Sequence, residues 1–587
     1  MSLFDIYYKK NDNSKLFSYL SEKSKNKIKN IKNFIPLYSR FFSLTESNYD
    51  KINLNHKYHI HDIKSEDSEN NTFTVYLFDN SKNKILKQSF FKFSPLLNVT
   101  KFLAGKYKDI SENIIRTLPK LKSSEDIIKK IECCNNCAYT DSFFSYLSSK
   151  LLHHYKFPHG VDFYGSFLGI QEKFKIDITD DLEYLYDYDF FHDNQNVLFE
   201  TDVIDEAMLD DDTRKNRIKI KINGKEKLTI DNMNNKIYED VFEELTIENI
   251  NKLNNKKLND ISLNNNIDYL RKAVLDNKSE NNKTNSECSS RVSNTDNEDS
   301  EEDSEEDSEE DSEEDSEEDS KHDSNISEYS SICDGINAYV YDFPCQIICL
   351  EKLDKTLDEC VENEELNLSD KEWSSCLFQI IMILITYQKA FNFTHNDLHT
   401  NNIMFNYTEK KYLNYFYDGK YWRIPTHGKI YKIIDYGRAI YSFKGKEIIS
   451  DCFFKTGDAA GQFNFSIFKN KNKKELKPTY GFDLCRLGCS LFDYFIPDIT
   501  EKITNPIAKL INEWVNDDNG KNLLYKSNGE ERYPDFKLYK MITRKCTKQI
   551  PHNQLSNPLF KKFISSKRKI GRKAKIINID KIPRYSE

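Results

Sequence analysis

The sequence predicts an α+β chain, strands first and helices later, and three observations carry that expectation. Between residues 58 and 93, short runs of β-branched and aromatic residues alternate with polar ones and are divided by turn-forming Ser, Asn and Asp. Between 371 and 392, Trp373, Leu377, Ile380, Ile381, Leu384 and Tyr387 fall at helical spacing and form one apolar stripe. The two regions are separated by a tract of Ser, Asn, Asp and Glu that cannot bury enough apolar surface to offset its ordering entropy. At 587 residues, 38% of them hydrophobic and 13% aromatic, the chain has material for a large core and two or three domains.

Taken in order, residues 1–50 mix Lys and Asn with aromatics around Phe34-Ile35-Pro36-Leu37-Tyr38 and are expected to form a helical extension. Residues 51–170 carry expected strands at Tyr58–Lys64, Thr72–Asp79 and Ile85–Phe93, a helix near Tyr139–Tyr155, and a fourth strand at Phe163–Gly169. The fifth, Gln346–Leu350, comes only within 331–353, so a long insertion splits this sheet. Its first part, 171–275, is expected to be a folded subdomain with a hairpin turning at Asn223-Gly224. Its second part, 276–330, reads as a disordered acidic loop with five EEDS repeats at 301–320. Residues 354–560 hold the helical stripe, a hairpin turning at Asp418-Gly419, and helices near Pro506–Asn516 and Phe536–Cys546. Residues 561–587 are a basic tail, read as a flexible solvated terminus, with a nuclear address or a nucleic-acid contact as alternatives.

The chemistry lies in His395-Asn396-Asp397-Leu398-His399-Thr400-Asn401-Asn402, between the helical stripe and the short apolar run Ile403-Met404-Phe405. An Asp with an Asn five residues later suits phosphoryl transfer, since the carboxylate can orient a hydroxyl and the amide oxygen can hold a magnesium ion. A second ligand for that metal is Asp435, at the end of the β-branched pair Ile433-Ile434 and followed by Tyr436-Gly437.

HNDLHTNN followed by DYG resembles the HRDLKxxN and DFG motifs of the protein kinase superfamily. The His two places after the Asp is similar to that of haspin, of the ubiquinone-biosynthesis type of atypical kinase, and of aminoglycoside and choline phosphotransferases. The wider context, from FNFTHNDLHTNNIMF through GKIYKIIDYGRAIY to FDLCRLG, resembles the serine/threonine kinases of giant DNA viruses. The resemblance implies a bilobal, protein-kinase-like fold: an antiparallel-sheet first lobe with a large insertion, and a mainly helical second lobe. It implies ATP and Mg2+ as cofactors and a Ser/Thr hydroxyl of a protein as acceptor. A small-molecule phosphotransferase and a catalytically weak kinase-fold scaffold are the alternatives.

It also implies roles for particular residues. Lys92 stands where the Lys of VAIK contacts the α- and β-phosphates, and Asp141 where the helix acid pairs with it; a helix-capping or surface Asp is the alternative for Asp141. Glu351 and Leu353 belong to the hinge, whose backbone meets the adenine. Asn402 and Asp435 hold the metals, and Asp397 the incoming hydroxyl. His395 buttresses the loop beneath Tyr436, His399 replaces the catalytic-loop Lys, and Asp483 holds the loop backbone. Besides His399, the sequence departs from the pattern in three places. The phosphate cover Ser65–Asn71 has no glycine and three acids, Asn396 replaces the Arg of HRD, and no APE tripeptide lies between Asp435 and Asp483. Without that Arg, activity independent of phosphorylation within 440–480 is expected.

Fifteen acids and no base lie in the EEDS repeats, so the formal charge of -10 becomes +5 without them. Acid-directed phosphorylation, a basic partner and simple solubilisation are alternative uses for that tract. Nucleic acid is not the expected partner. The thirteen cysteines are read as reduced thiols, Cys134 and Cys137 included, with zinc as the lesser reading of that one CxxC. The run Leu377–Tyr387 falls short of a bilayer span, so no membrane association is expected. The expected location is the cytoplasm, or a virion if the chain is viral, with the nucleus as the alternative from the basic tail.

Overall fold

The computed structural model describes residues 3–10, 12–122, 127–203 and 335–587. The first lobe is a curled, seven-stranded antiparallel sheet built from β1 (Ile28–Lys32), β2 (Tyr58–Asp67), β3 (Thr72–Asp79), β4 (Lys84–Pro95), β5 (Phe163–Asp177), β6 (Phe199–Thr201) and β7 (Asn337–Glu351). Their spatial order is β1-β5-β7-β4-β3-β2, with β6 beside the first half of β7. β4 pairs with β3 on one side and β7 on the other, and its Phe91 packs inward against Phe73 while Lys92, the next residue, points to the other face. β5 and β1 approach closely where Gly169 lies: a Cβ there would come within 2.3 Å of Ile28 Cγ2.

One long helix, α1 (Cys137–His154), serves this lobe. The Asn136 side chain caps it by accepting the Ala138 N–H at 3.1 Å. Aromatic residues then seat it on the second lobe: Phe144 meets Tyr387, Phe393, Tyr436 and Tyr441.

The first fifty residues differ from the expected helical extension. They hold a short helix Ser14–Ser18, a wider turn Tyr19–Lys23, β1, and a 3-10 turn Pro36–Arg40. The reason is tertiary: β1 pairs with the open edge of β5, and Leu16 and Leu20 are fully buried on the helical side. Of the insertion, the described part continues β5 to Asp177 and adds two short helices, Leu182–Tyr186 and Asp189–Asp193, before β6. The Asn223-Gly224 hairpin and the EEDS tract lie outside the described residues.

The second lobe is organised on α2 (Asp370–Phe391). Glu372 at its third position accepts from the Ser369 N–H and hydroxyl, and Asn392 ends it in the left-handed region at φ 50°. By length and composition α2 could cross a membrane, but 94% of its apolar window is buried inside the protein, so it is a core helix. Beyond it come β8 (Ile403–Tyr407), β9 (Tyr412–Tyr417), β10 (Lys420–Pro425), β11 (Lys429–Ile433), β12 (Ile440–Phe443), β13 (Lys446–Ile449), α3 (Phe482–Phe495), α4 (Pro506–Val515) and α5 (Phe536–Lys545). β8 and β11 pair antiparallel, Ile403 opposite Ile433, which brings the ends of the two motif segments side by side.

The basic tail is not a loose terminus. Ile564–Ser565 pairs with β10, Ile577–Asn578 runs parallel to β9, and Ile579, Ile582 and Tyr585 are buried. Lys567, Arg568 and Lys569 remain exposed on this anchored segment. Tyr585 stacks on Phe4 with ring centroids 4.1 Å apart, while its N–H donates to the Ala390 carbonyl at 2.7 Å.

Candidate phosphotransfer site

The site is assembled from β4, α1, the loop after α2 and the residues after β11. Lys92 Nζ lies 2.7 Å from Asp141 Oδ2 and 2.8 Å from Asp435 Oδ1, bridging the two carboxylates. Its other oxygen lets Asp141 accept the Tyr436 N–H at 3.0 Å, so one buried acid ties α1 both to the strand lysine and to the Asp435-Tyr436-Gly437 turn. Asp435 takes φ 60°, a left-handed conformation that the bonds on both sides hold in place. Burial acts to lower the Lys92 ammonium pKa, but Asp141 and Asp435 outweigh it and the pKa is raised. For Asp435 burial opposes ionisation and Lys92 overrides it, so its carboxyl is held below the ordinary value; Asp141, more deeply enclosed, is pushed up by burial.

The loop is held from below by Asp483, fully buried on α3. Its carboxylate accepts the His395 N–H at 3.1 and 3.0 Å and the Asn396 N–H at 2.9 Å. His395 Nε2 is 2.9 Å from the Ile434 carbonyl, and its ring lies 5.9 Å from that of Tyr436. Asn396, at φ 63°, uses its amide N–H group on the Arg438 carbonyl at 2.9 Å, a neutral bond between loop and following segment.

Asp397 is surrounded by groups that sequence reasoning did not single out. Tyr539 on α5 donates its hydroxyl to Asp397 Oδ1 at 2.7 Å, and Arg486 Nε on α3 donates to that hydroxyl at 2.9 Å. Arg438 Nε stands 3.9 Å from Asp397 Oδ2. Burial would raise the Asp397 pKa, yet Arg438, His399, Arg486 and the Tyr539 hydroxyl together hold it well below the usual carboxylate range. The one available signal was Arg486, three residues after Asp483 and so on the same helical face; nothing local pointed to Tyr539.

Asn402 donates its amide N–H group to the Asp397 carbonyl at 2.9 Å and lies 3.0 Å from His399 Nε2. Burial lowers His399 to about 4, so its ring is neutral near pH 7 and accepts from Asn402 there. The Ile434 N–H donates to the Asn402 carbonyl at 3.0 Å, which fixes Asn402 next to Asp435. Asn402 Oδ1 and Asp435 Oδ2 accept no hydrogen bond from the described residues. An amide oxygen and a carboxylate oxygen on these two hydrogen-bonded segments are the donor types that suit a magnesium ion taking its remaining ligands from water and phosphate. Among the described residues no three His, Cys, Asp or Glu side chains gather to hold a metal by themselves, and all described cysteines are free thiols.

Glu351 and Leu353 are expected to meet the adenine through their backbone, and the Glu351 carboxylate has a separate task within the protein. It pairs with Lys432 on β11, accepts the Asp162 N–H at 2.7 Å, and lies within 3.3 Å of Asn406 Nδ2. The Glu351 N–H donates to the Asp162 carbonyl at 2.9 Å, and the Leu353 side chain is buried. Two of the three acids in the glycine-free segment are hydrogen-bonded within the protein. Glu66 accepts from the Ser24 hydroxyl at 2.8 Å and from the Lys25 N–H, and Asp67 accepts from Asn70 at 2.9 Å. The first segment of the chain thus holds Glu66 by hydrogen bonding.

No family model matches the chain. It is 33% identical over 111 residues to mouse serine/threonine-protein kinase haspin, covering 18% of this chain and 14% of that protein. It is 25% identical over 202 residues to "Putative serine/threonine-protein kinase R301" of Acanthamoeba polyphaga mimivirus, covering 33% of this chain and 47% of that one. The chain therefore spans less than half the length of either relative. With the α+β architecture and its curled antiparallel sheet, these similarities make it a kinase-like chain that resembles atypical, viral-type serine/threonine kinases.

Proposed function

We propose that the chain transfers the γ-phosphoryl group of ATP to a Ser or Thr hydroxyl of a protein. The observation that carries this reading is the Lys92 ammonium bridging Asp141 and Asp435 at 2.7 and 2.8 Å, with Asn402 fixed beside Asp435. Such transfer asks little covalent chemistry of a protein and depends on positioning and charge stabilisation, and these residues supply both.

In this reading Lys92 binds the α- and β-phosphates of ATP, and Asp141 keeps its ammonium in place. Asn402 and Asp435 hold Mg2+, which when bound neutralises phosphate charge. Asp397 orients the acceptor hydroxyl and receives its proton. Its depressed pKa makes it an orienting group first and a late proton acceptor, in keeping with a loose transition state. Neutral His399 positions Asn402 and brings no full charge to the γ-phosphate, a task nearby Arg438 and Arg486 can share electrostatically. His395 and Asp483 hold the loop that carries Asp397.

The test is transfer of labelled γ-phosphate from Mg-ATP, with Ser/Thr peptides in one set of reactions and small alcohols and aminoglycosides in another. Label on the peptides supports the proposal. Label only on small acceptors would transfer the reading to a small-molecule phosphotransferase, and no label with no thermal shift on adding Mg-ATP would leave a binding scaffold.

A further inference from the structure

The segment after Gly437 returns to the first lobe. Following β13 it makes a 3-10 turn, Asp451–Phe453, and Asp451 is buried there against the start of α1. Asp451 Oδ1 accepts the N–H of Cys137, the first residue of α1, at 3.0 Å. Its Oδ2 lies 2.6 Å from Lys130 Nζ, and its own N–H donates to the Asn135 carbonyl at 2.7 Å. Two further bonds extend the seam: Asn98 Nδ2 to Asp458 Oδ1 at 2.9 Å and Lys101 Nζ to the Thr456 carbonyl at 3.0 Å.

The first N–H groups of a helix have no intrahelical acceptor and carry the positive end of its dipole, so a carboxylate placed there fixes the helix end. Asp141 follows Cys137 by four residues, about one turn. Any displacement of the helix start is therefore felt by the carboxylate that holds Lys92 and the Tyr436 N–H. In switched proteins a phosphate added to a mobile segment and read by a basic side chain can do such work. Here a carboxylate already stands against Lys130, and the residue before Asp397 is neutral Asn396.

We propose that Asp451 is a positioning residue: without phosphorylation it locks the start of α1 to the segment after Gly437 and so keeps Asp141 in register with Lys92 and Asp435. The proposal rests on the phosphotransfer reading, which gives Asp141 its task.

The test uses the full chain treated with phosphatase, as wild type and as Asp451→Ala, Asp451→Asn and Lys130→Met, with two readouts. Amide hydrogen exchange along 137–145 reports the helix start, and kcat with KM for ATP reports the reaction. Asp451→Ala should speed exchange at 137–141 by about tenfold and lower kcat by a similar factor, leaving exchange in α2 unchanged. Asp451→Asn keeps an oxygen for the Cys137 N–H but loses the charge, so it and Lys130→Met should fall between; they carry the comparison if the alanine variant does not fold. Phosphatase should leave wild-type kcat unchanged. Exchange and kcat both at wild-type levels in the variants would overturn the proposal, and so would a loosened helix with full kcat. A wild-type chain that labels no acceptor overturns the phosphotransfer reading instead, and exchange alone then reports whether Asp451 holds α1.

Discussion

Replacing Tyr539 with Phe removes one oxygen and keeps the ring, and so isolates what this hydroxyl does for Asp397. It lies 2.7 Å from Asp397 Oδ1 and 2.9 Å from Arg486 Nε, while the buried ring has the guanidinium groups of Arg438 and Arg486 5.5 and 5.0 Å from its centroid. A hydrogen bond to a charged group contributes about 1.5–3 kcal/mol. The Asp397 side chain is 17% exposed, so water replaces part of the lost bond and about 1–2 kcal/mol remains. If that loss falls on the orientation of the acceptor hydroxyl, kcat drops about 5- to 30-fold. KM for ATP should stay within about twofold, because Tyr539 touches neither Lys92 nor Asp435. Steady-state kinetics on wild type and Tyr539→Phe, with thermal unfolding to confirm the fold, measure this. Unchanged kcat in a folded variant, or a raised KM with kcat intact, would refute the reasoning.

Three further expectations follow from buried polar groups. Asp483→Ala strands the His395 and Asn396 N–H groups in the core and should lower unfolding stability by about 2–4 kcal/mol, read as a shift of the urea midpoint at constant m. Lys432→Met leaves the Glu351 carboxylate with only its Asp162 and Asn406 bonds; a loss of about 1–3 kcal/mol and faster exchange at the end of β7 are expected, and unchanged values would show that the pair does not stiffen the hinge. Acid should destabilise the chain through its buried histidines. Burial lowers His159 to about 3 and His399 to about 4, so the unfolded chain binds more protons below its ordinary histidine pKa of 6.5, and stability falls as pH drops from 6.5 towards those values. At pH 5 each histidine still neutral in the fold costs about 2 kcal/mol, so His159→Gln should flatten the pH dependence of the urea midpoint between pH 6.5 and 5; an unchanged slope would contradict this.

Much of the site is readable in the chain because its chemistry is local. Asp397 and Asn402 lie in one loop, and Asp435 ends a short β-branched run, so their types and spacing suffice. Asp141 is harder: forty-nine residues separate it from Lys92, and only the seating of α1 against β4 brings the carboxylate within 2.7 Å. Tyr539 is 142 residues from Asp397, and a tyrosine on the buried side of a helix looks like core until its partner is seen. In the fold, the strands from β2 to β4 carry alternation that can be read directly, whereas β1 forms because β5 offers it an edge, a tertiary reason that overrides a weak helical tendency. In the tail, the count of Lys and Arg obscured Ile577, Ile579, Ile582 and Tyr585, the residues that anchor it.

The most direct test of the central claim is single-turnover transfer of labelled γ-phosphate from Mg-ATP by the wild-type chain, by Asp397→Ala and by Asp435→Ala, each shown to be folded. The account predicts label on Ser or Thr of an acceptor protein with wild type and none with either variant. Labelling that survives both substitutions would contradict it.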